Sequence, residues 1–178
     1  LAAGASATAV VTDAAWTPAS GAHPARLWVA VVDLNTPALT DVWVSANGVA
    51  GPFTPVGLPN VVAGGVPTVT RLSIGAEPAA PTTLYVLGTG PQLWRIDITL
   101  VAGVSTVAPA TVGPLPAQLF GVLGDQSDYD NAVTIDPANA NRVIVGGAAA
   151  LSPHDNSWSA AMYRLTIGGA SPAYNSDY

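Results

Sequence analysis

Tyr129-Asp-Asn-Ala-Val-Thr-Ile-Asp-Pro-Ala-Asn-Ala-Asn-Arg-Val-Ile-Val-Gly-Gly147 is the stretch that decides the fold. Two short apolar runs, Ala132 to Ile135 and Val143 to Gly147, flank an Asp-Pro turn. Valine, isoleucine and threonine favour extended backbone in both runs, while the proline fixes the turn and bars a helix through it. The second run has two counterparts upstream, Leu27-Trp-Val-Ala-Val31 and Leu84-Tyr-Val-Leu-Gly88, with starts 57 and 59 residues apart. A recurring spacing of that size is the mark of a structural repeat.

Working outward, each of the three runs follows a proline-containing turn: Pro18 to Pro24, Pro78 to Pro81 and Pro137 to Asn141. Ahead of each turn lies another strand, at Ala9 to Val11, Val69 to Ile74 and Ala132 to Ile135. After each run comes a third strand centred on an aromatic: Val42-Trp-Val-Ser45, Leu93-Trp-Arg-Ile-Asp97 and Met162-Tyr-Arg-Leu-Thr166. A fourth segment follows twice, at Phe53 to Gly57 and Ala110 to Gly113. The third repeat is expected to stop before a fourth strand can form.

Units of four short strands separated by Gly and Pro turns predict an all-β fold, a β-propeller of four-stranded antiparallel blades. A β-sandwich is the alternative architecture. The whole chain, residues 1–178, is taken as a partial propeller, with blade 1 at about 8–67, blade 2 at about 68–128 and an incomplete blade 3 at about 129–178. Closed propellers use roughly four to eight blades, and an open arc would expose apolar terminal faces. The remaining blades are therefore expected on another chain or another copy.

Composition sets further bounds. Hydrophobic residues make up 49% and charged residues 9% of the chain, against about 25% charged in ordinary soluble domains, so this is a chain built to be packed. Its net charge of −6 and its lack of lysine remove the basic face that nucleic-acid binding requires. Two uncharged stretches, Val42 to Thr70 and Ile98 to Gly124, are interrupted by prolines and glycines, so no membrane span is expected. Without cysteine there is no disulfide, thiolate metal site or thiol nucleophile. The small residues from Leu1 to Ala9 read as the region after an export signal or as a proteolytic cut, and the first reading leads us to expect a secreted or cell-surface protein.

The third repeat resembles the Asp-box, or bacterial neuraminidase repeat, propeller superfamily, which includes sialidase, xyloglucanase-type and sortilin-like propellers. The likeness lies in an inner strand, an Asp-Pro turn and a second strand ending in Gly-Gly. The Asp-box itself has one degraded counterpart, Ser45-Ala-Asn-Gly-Val-Ala-Gly-Pro-Phe53, with Asn47 where aspartate belongs. The resemblance implies a propeller fold without fixing a function.

Candidate sites gather at the third repeat. Asp125, Asp128 and Asp130 offer hard oxygen ligands suited to Ca²⁺, and Tyr129 and Asn131 lie among them as ligand-binding candidates. A solvated acidic loop, with Asp130 and Asn131 capping the turn, is the plainer reading. His154, Asp155 and Trp158 form a second ligand-binding patch, in the loop expected between second and third strands. Glycoside hydrolysis needs two carboxyl groups about 5.5 Å or 6.5 to 9.5 Å apart; Asp130 with Asp155 or Asp33 are the catalytic candidates. Arg95 and Arg164 recur at one place in successive third strands, which marks structural repetition. Trp28, Trp43 and Trp94 are expected in packing. The function expected is a non-catalytic propeller scaffold that recognises carbohydrate or protein through loops on one face. A fragment of a propeller glycoside hydrolase, of endo-glucanase or sialidase type, is the alternative.

Overall fold

The computed structural model describes residues 8–77, 82–90, 92–102, 104–113, 115, 130–151, 158–168 and 171–175. Three antiparallel sheets of four strands follow one another along the chain. Sheet 1 comprises β1 (Val10–Thr17), β2 (Arg26–Val32), β3 (Asp41–Ser45) and β4 (Thr54–Pro55). A small hairpin, β5 (Val62–Ala63) and β6 (Val66–Pro67), connects it to sheet 2. Sheet 2 comprises β7 (Leu72–Ala76), β8 (Thr83–Gly88), β9 (Gln92–Val101) and β10 (Val104–Val112). Sheet 3 comprises β11 (Ala132–Asp136), β12 (Asn139–Leu151), β13 (Trp158–Gly168) and β14 (Ser171–Asn175). Among the described residues, helical backbone is limited to two 3-10 turns, Pro37–Leu39 and Gly48–Ala50, and no helix is long and apolar enough to cross a membrane.

Strand order within each sheet is simply chain order, so every connection joins neighbours. The sheets then stack through their faces. Strand side chains alternate between faces, and β8 shows what that does in the middle layer. Leu84 and Val86 enter a core shared with Trp28, Ala30, Val42 and Val44 of sheet 1. Tyr85 and Leu87 enter a second core with Ile135, Val143, Val145, Tyr163 and Leu165 of sheet 3. Both faces of β8 are buried, and for that reason its sequence is an unbroken apolar run rather than an alternating one.

The first strands of the three sheets lie next to each other in the order β1, β7, β11. Side chains, rather than a backbone ladder, supply polar links between them. Thr12 sits where the β1–β2 register slips. Its hydroxyl donates to the Leu72 carbonyl at 2.7 Å and accepts from the Leu72 amide at 3.2 Å. The Asp13 carboxylate accepts the Ile74 amide at 2.8 Å. At the next joint the Ser73 hydroxyl donates to Asn131, at 2.8 Å to the side-chain oxygen and 3.1 Å to the carbonyl. Gly75 permits that approach: a Cβ there would lie 3.1 Å from the Val133 carbonyl oxygen.

One expectation is corrected here. The third repeat is not cut short, because β14 (Ser171–Asn175) pairs with β13 and completes a fourth strand. The register runs from Gly168 opposite Ser171 to Arg164 opposite Asn175. Pro172 is accommodated because β14 is an edge strand, where a missing amide donor is tolerated.

Candidate functional site

The acidic segment leads into β11. Asp125, Asp128 and Tyr129 lie outside the described residues, as do His154 and Asp155. Asp130 is described and exposed. Asn131, its neighbour, is 4% exposed and turned inward. Its side-chain oxygen accepts from Ser73 at 2.8 Å and its Nδ2 donates to the Leu87 carbonyl at 3.5 Å. Placed this way, Asn131 ties sheet 3 to sheet 2.

Asp33, offered as a carboxylate partner for Asp130, is fully buried. One carboxylate oxygen accepts from Thr8 at 2.8 Å and from the amides of Asn35 and Thr36, both at 2.9 Å. These bonds hold the turn after β2, which leads into the 3-10 turn Pro37–Leu39. Trp158 begins β13, opposite Leu151, and is not a loop residue. Among the described residues no three His, Cys, Asp or Glu side chains are grouped to hold a metal ion.

A polar cluster that the sequence did not single out spans sheets 2 and 3. Tyr85 Oη donates to the Ala140 carbonyl at 3.0 Å, in the β12 backbone just past the Asp-Pro turn. Arg95 Nη1 donates to the Asn141 side-chain oxygen at 2.6 Å and to Tyr85 Oη at 3.4 Å, while its Nε holds Asp97 at 2.9 Å. Burial pushes the Tyr85 phenol up from its usual value, with Arg95 pulling the other way. This cluster joins sheets 2 and 3. On the same turn Asp136 accepts the Ala138 amide and pairs with Arg142 at 2.9 Å.

Interior tryptophans behave as packing residues. Trp28 and Trp94 are 0% and 1% exposed. Each satisfies its indole N–H, Trp28 on the Thr17 hydroxyl at 3.0 Å and Trp94 on the Pro59 carbonyl at 2.8 Å. Trp43 is half-buried and donates to the Leu39 carbonyl at 3.1 Å. Trp16 is 52% exposed.

These last two share the face of sheet 1 that points away from sheet 2. Pairing puts Trp16 opposite Leu27 and Val29 opposite Trp43, so the four share one apolar face, with Trp16 exposed, Leu27 and Trp43 half-buried and Val29 buried. The 3-10 turn Gly48–Ala50 packs over part of it, with the Gly48 Cβ position 3.7 Å from the Trp16 ring. No other sheet among the described residues lies against it.

Comparison with protein-family models, with curated proteins and with solved structures returns no match.

Proposed function

We propose that this chain is an arc of a β-propeller of the Asp-box kind, serving as a non-catalytic scaffold of an exported or cell-surface protein. Loops at one end of its sheets recognise a carbohydrate or protein ligand. The observation that carries the reading is the side-by-side order β1, β7, β11 combined with face-to-face stacking of three sheets of identical strand order. Blades packed around an axis have these two features, whereas a two-layer sandwich has no third layer.

The state of Asp33 removes one of the two partners offered to Asp130 for glycoside hydrolysis; the other, Asp155, lies outside the described residues. The Asp33 carboxylate is buried and bonded to its own turn, so it is withdrawn from pairing with Asp130. The exposed Asp130, ahead of the innermost strand of sheet 3, belongs to the proposed ligand-facing rim.

Binding and turnover separate the readings. The chain is passed over immobilised glycans and assayed on β-glucans and sialosides beside Asp130→Asn. Retention on a glycan without turnover supports the scaffold. Hydrolysis that Asp130→Asn abolishes contradicts it.

A further inference from the structure

We infer that the outward face of sheet 1 docks the outward face of sheet 3 from a second copy of this chain, head to tail. The inference rests on the propeller reading and names the partner that reading lacks.

Both internal joints are built alike. The later sheet turns alternate residues of its second strand and the aromatic of its third strand toward the earlier sheet: Leu84, Val86 and Trp94 in one case, Val143, Val145 and Tyr163 in the other. At the matching register positions sheet 1 carries Leu27, Val29 and Trp43, directed away from sheet 2. Trp94 is 1% exposed because sheet 1 covers it, while Trp16, beside Trp43, is 52% exposed for want of such a layer. The face therefore has the construction of a surface meant for an earlier sheet.

Sheet 3 carries the other half of the joint. On its face away from sheet 2, Ile144, Met162 and Arg164 occupy the positions that Tyr85, Leu93 and Arg95 hold in sheet 2. Ala132 and Thr134, on its first strand, occupy the register positions of Ser73 and Gly75. Leu93 is fully buried, whereas Met162 is 65% exposed. Arg164 also brings a guanidinium toward a face bearing two indoles, a favourable pairing.

A chain with both halves of one directional joint associates head to tail, and a head-to-tail contact closes into a ring when its rotation allows. The described residues of two copies supply six four-stranded sheets, inside the range of roughly four to eight at which propellers close. Closure covers both outward faces at once, which a face-to-face dimer of sheet 1 does not.

Light scattering after size exclusion tests this on the purified chain at micromolar concentration. The expected mass is twice the 17.8 kDa of the chain. Trp16→Glu and Met162→Glu, both at exposed positions that leave the cores intact, each give monomers; mixed together they restore a dimer through the one undamaged joint. If Met162→Glu stays dimeric alone, sheet 1 pairs with itself and the head-to-tail proposal is overturned. A monomeric wild-type chain overturns it as well. Near-UV circular dichroism then tells whether the three-sheet stack persists, in which case only the second copy is lost, or has dissolved, in which case the propeller reading falls too.

Discussion

Trp94 donates its indole N–H to the carbonyl of Pro59 at 2.8 Å, and this bond ties the third strand of sheet 2 to the segment leaving sheet 1. The ring lies in the first core with Trp28, Leu58, Val61 and Val69, so a single side chain joins two sheets and their connector. Large aromatic-to-alanine changes in such a setting cost about 3–5 kcal/mol, through lost transfer energy and the cavity left behind. Trp94→Ala is expected to lower the unfolding free energy obtained from urea titration by that amount. Trp94→Phe, which removes the hydrogen bond and part of the ring, should cost less. Equal, small losses for the two variants would contradict the joint.

Gly88 makes room for the same ring. A Cβ there would stand 2.7 Å from Val69 Cγ1 and 2.9 Å from Trp94 Cζ3. Gly88→Ala should therefore destabilise by about 1–3 kcal/mol, as overpacking does. Gly168→Ala, with nothing within 4 Å of the added carbon, is the control, and thermal melting compares the two.

Asp130 and Asn131 are neighbours with opposite tasks. Asn131→Ala leaves the buried Ser73 hydroxyl without its side-chain acceptor and is expected to lose about 1–3 kcal/mol. Asp130→Ala, at an exposed position, should change stability by no more than about 0.5 kcal/mol. Loss of ligand retention in Asp130→Ala with its melting point unchanged would locate binding at the rim; an unstable Asp130→Ala would contradict that division of roles.

Two aspartates give stability opposite responses to pH. Burial raises the Asp41 carboxyl above its ordinary value, although the amides of Leu58, Gly57 and Val42 pull it down. Folding then favours its protonated form, so its contribution is whole below the ordinary carboxyl value and lost as pH rises through the raised one. For Asp136 the Ala138 amide and then Arg142 lower the value, so its contribution is present above the ordinary value and lost as pH falls through the lowered one. In melting temperature against pH, Asp41→Asn should flatten the limb above the ordinary value and Asp136→Asn the limb below it. Unaltered limbs would contradict both assignments.

What the sequence made legible follows from range. The runs at Leu27, Leu84 and Val143 and the aromatics Trp43, Trp94 and Tyr163 carry their strand signal locally, in residue type and spacing, and all lie in strands. β14 escaped because Ser-Pro-Ala-Tyr-Asn has little strand character of its own and is held by its pairing with β13. β1 extends past Val11 to Thr17, across a register slip at Thr12 that breaks its alternation. The inter-sheet links were beyond reach for another reason. Ser73 with Asn131 and Asp13 with Ile74 are 58 and 61 residues apart, and nothing in a short polar side chain announces a partner at that distance. The same holds for Asp33, whose buried turn reads in sequence like any exposed acid.

Electron cryo-microscopy of the native particle tests whether the three sheets are consecutive blades about one axis. A closed ring of roughly four to eight four-stranded sheets is expected, with β1, β7 and β11 innermost and the Trp16 and Trp43 face of sheet 1 covered by another sheet. A free-standing stack of three sheets, with that face open to solvent, would contradict it.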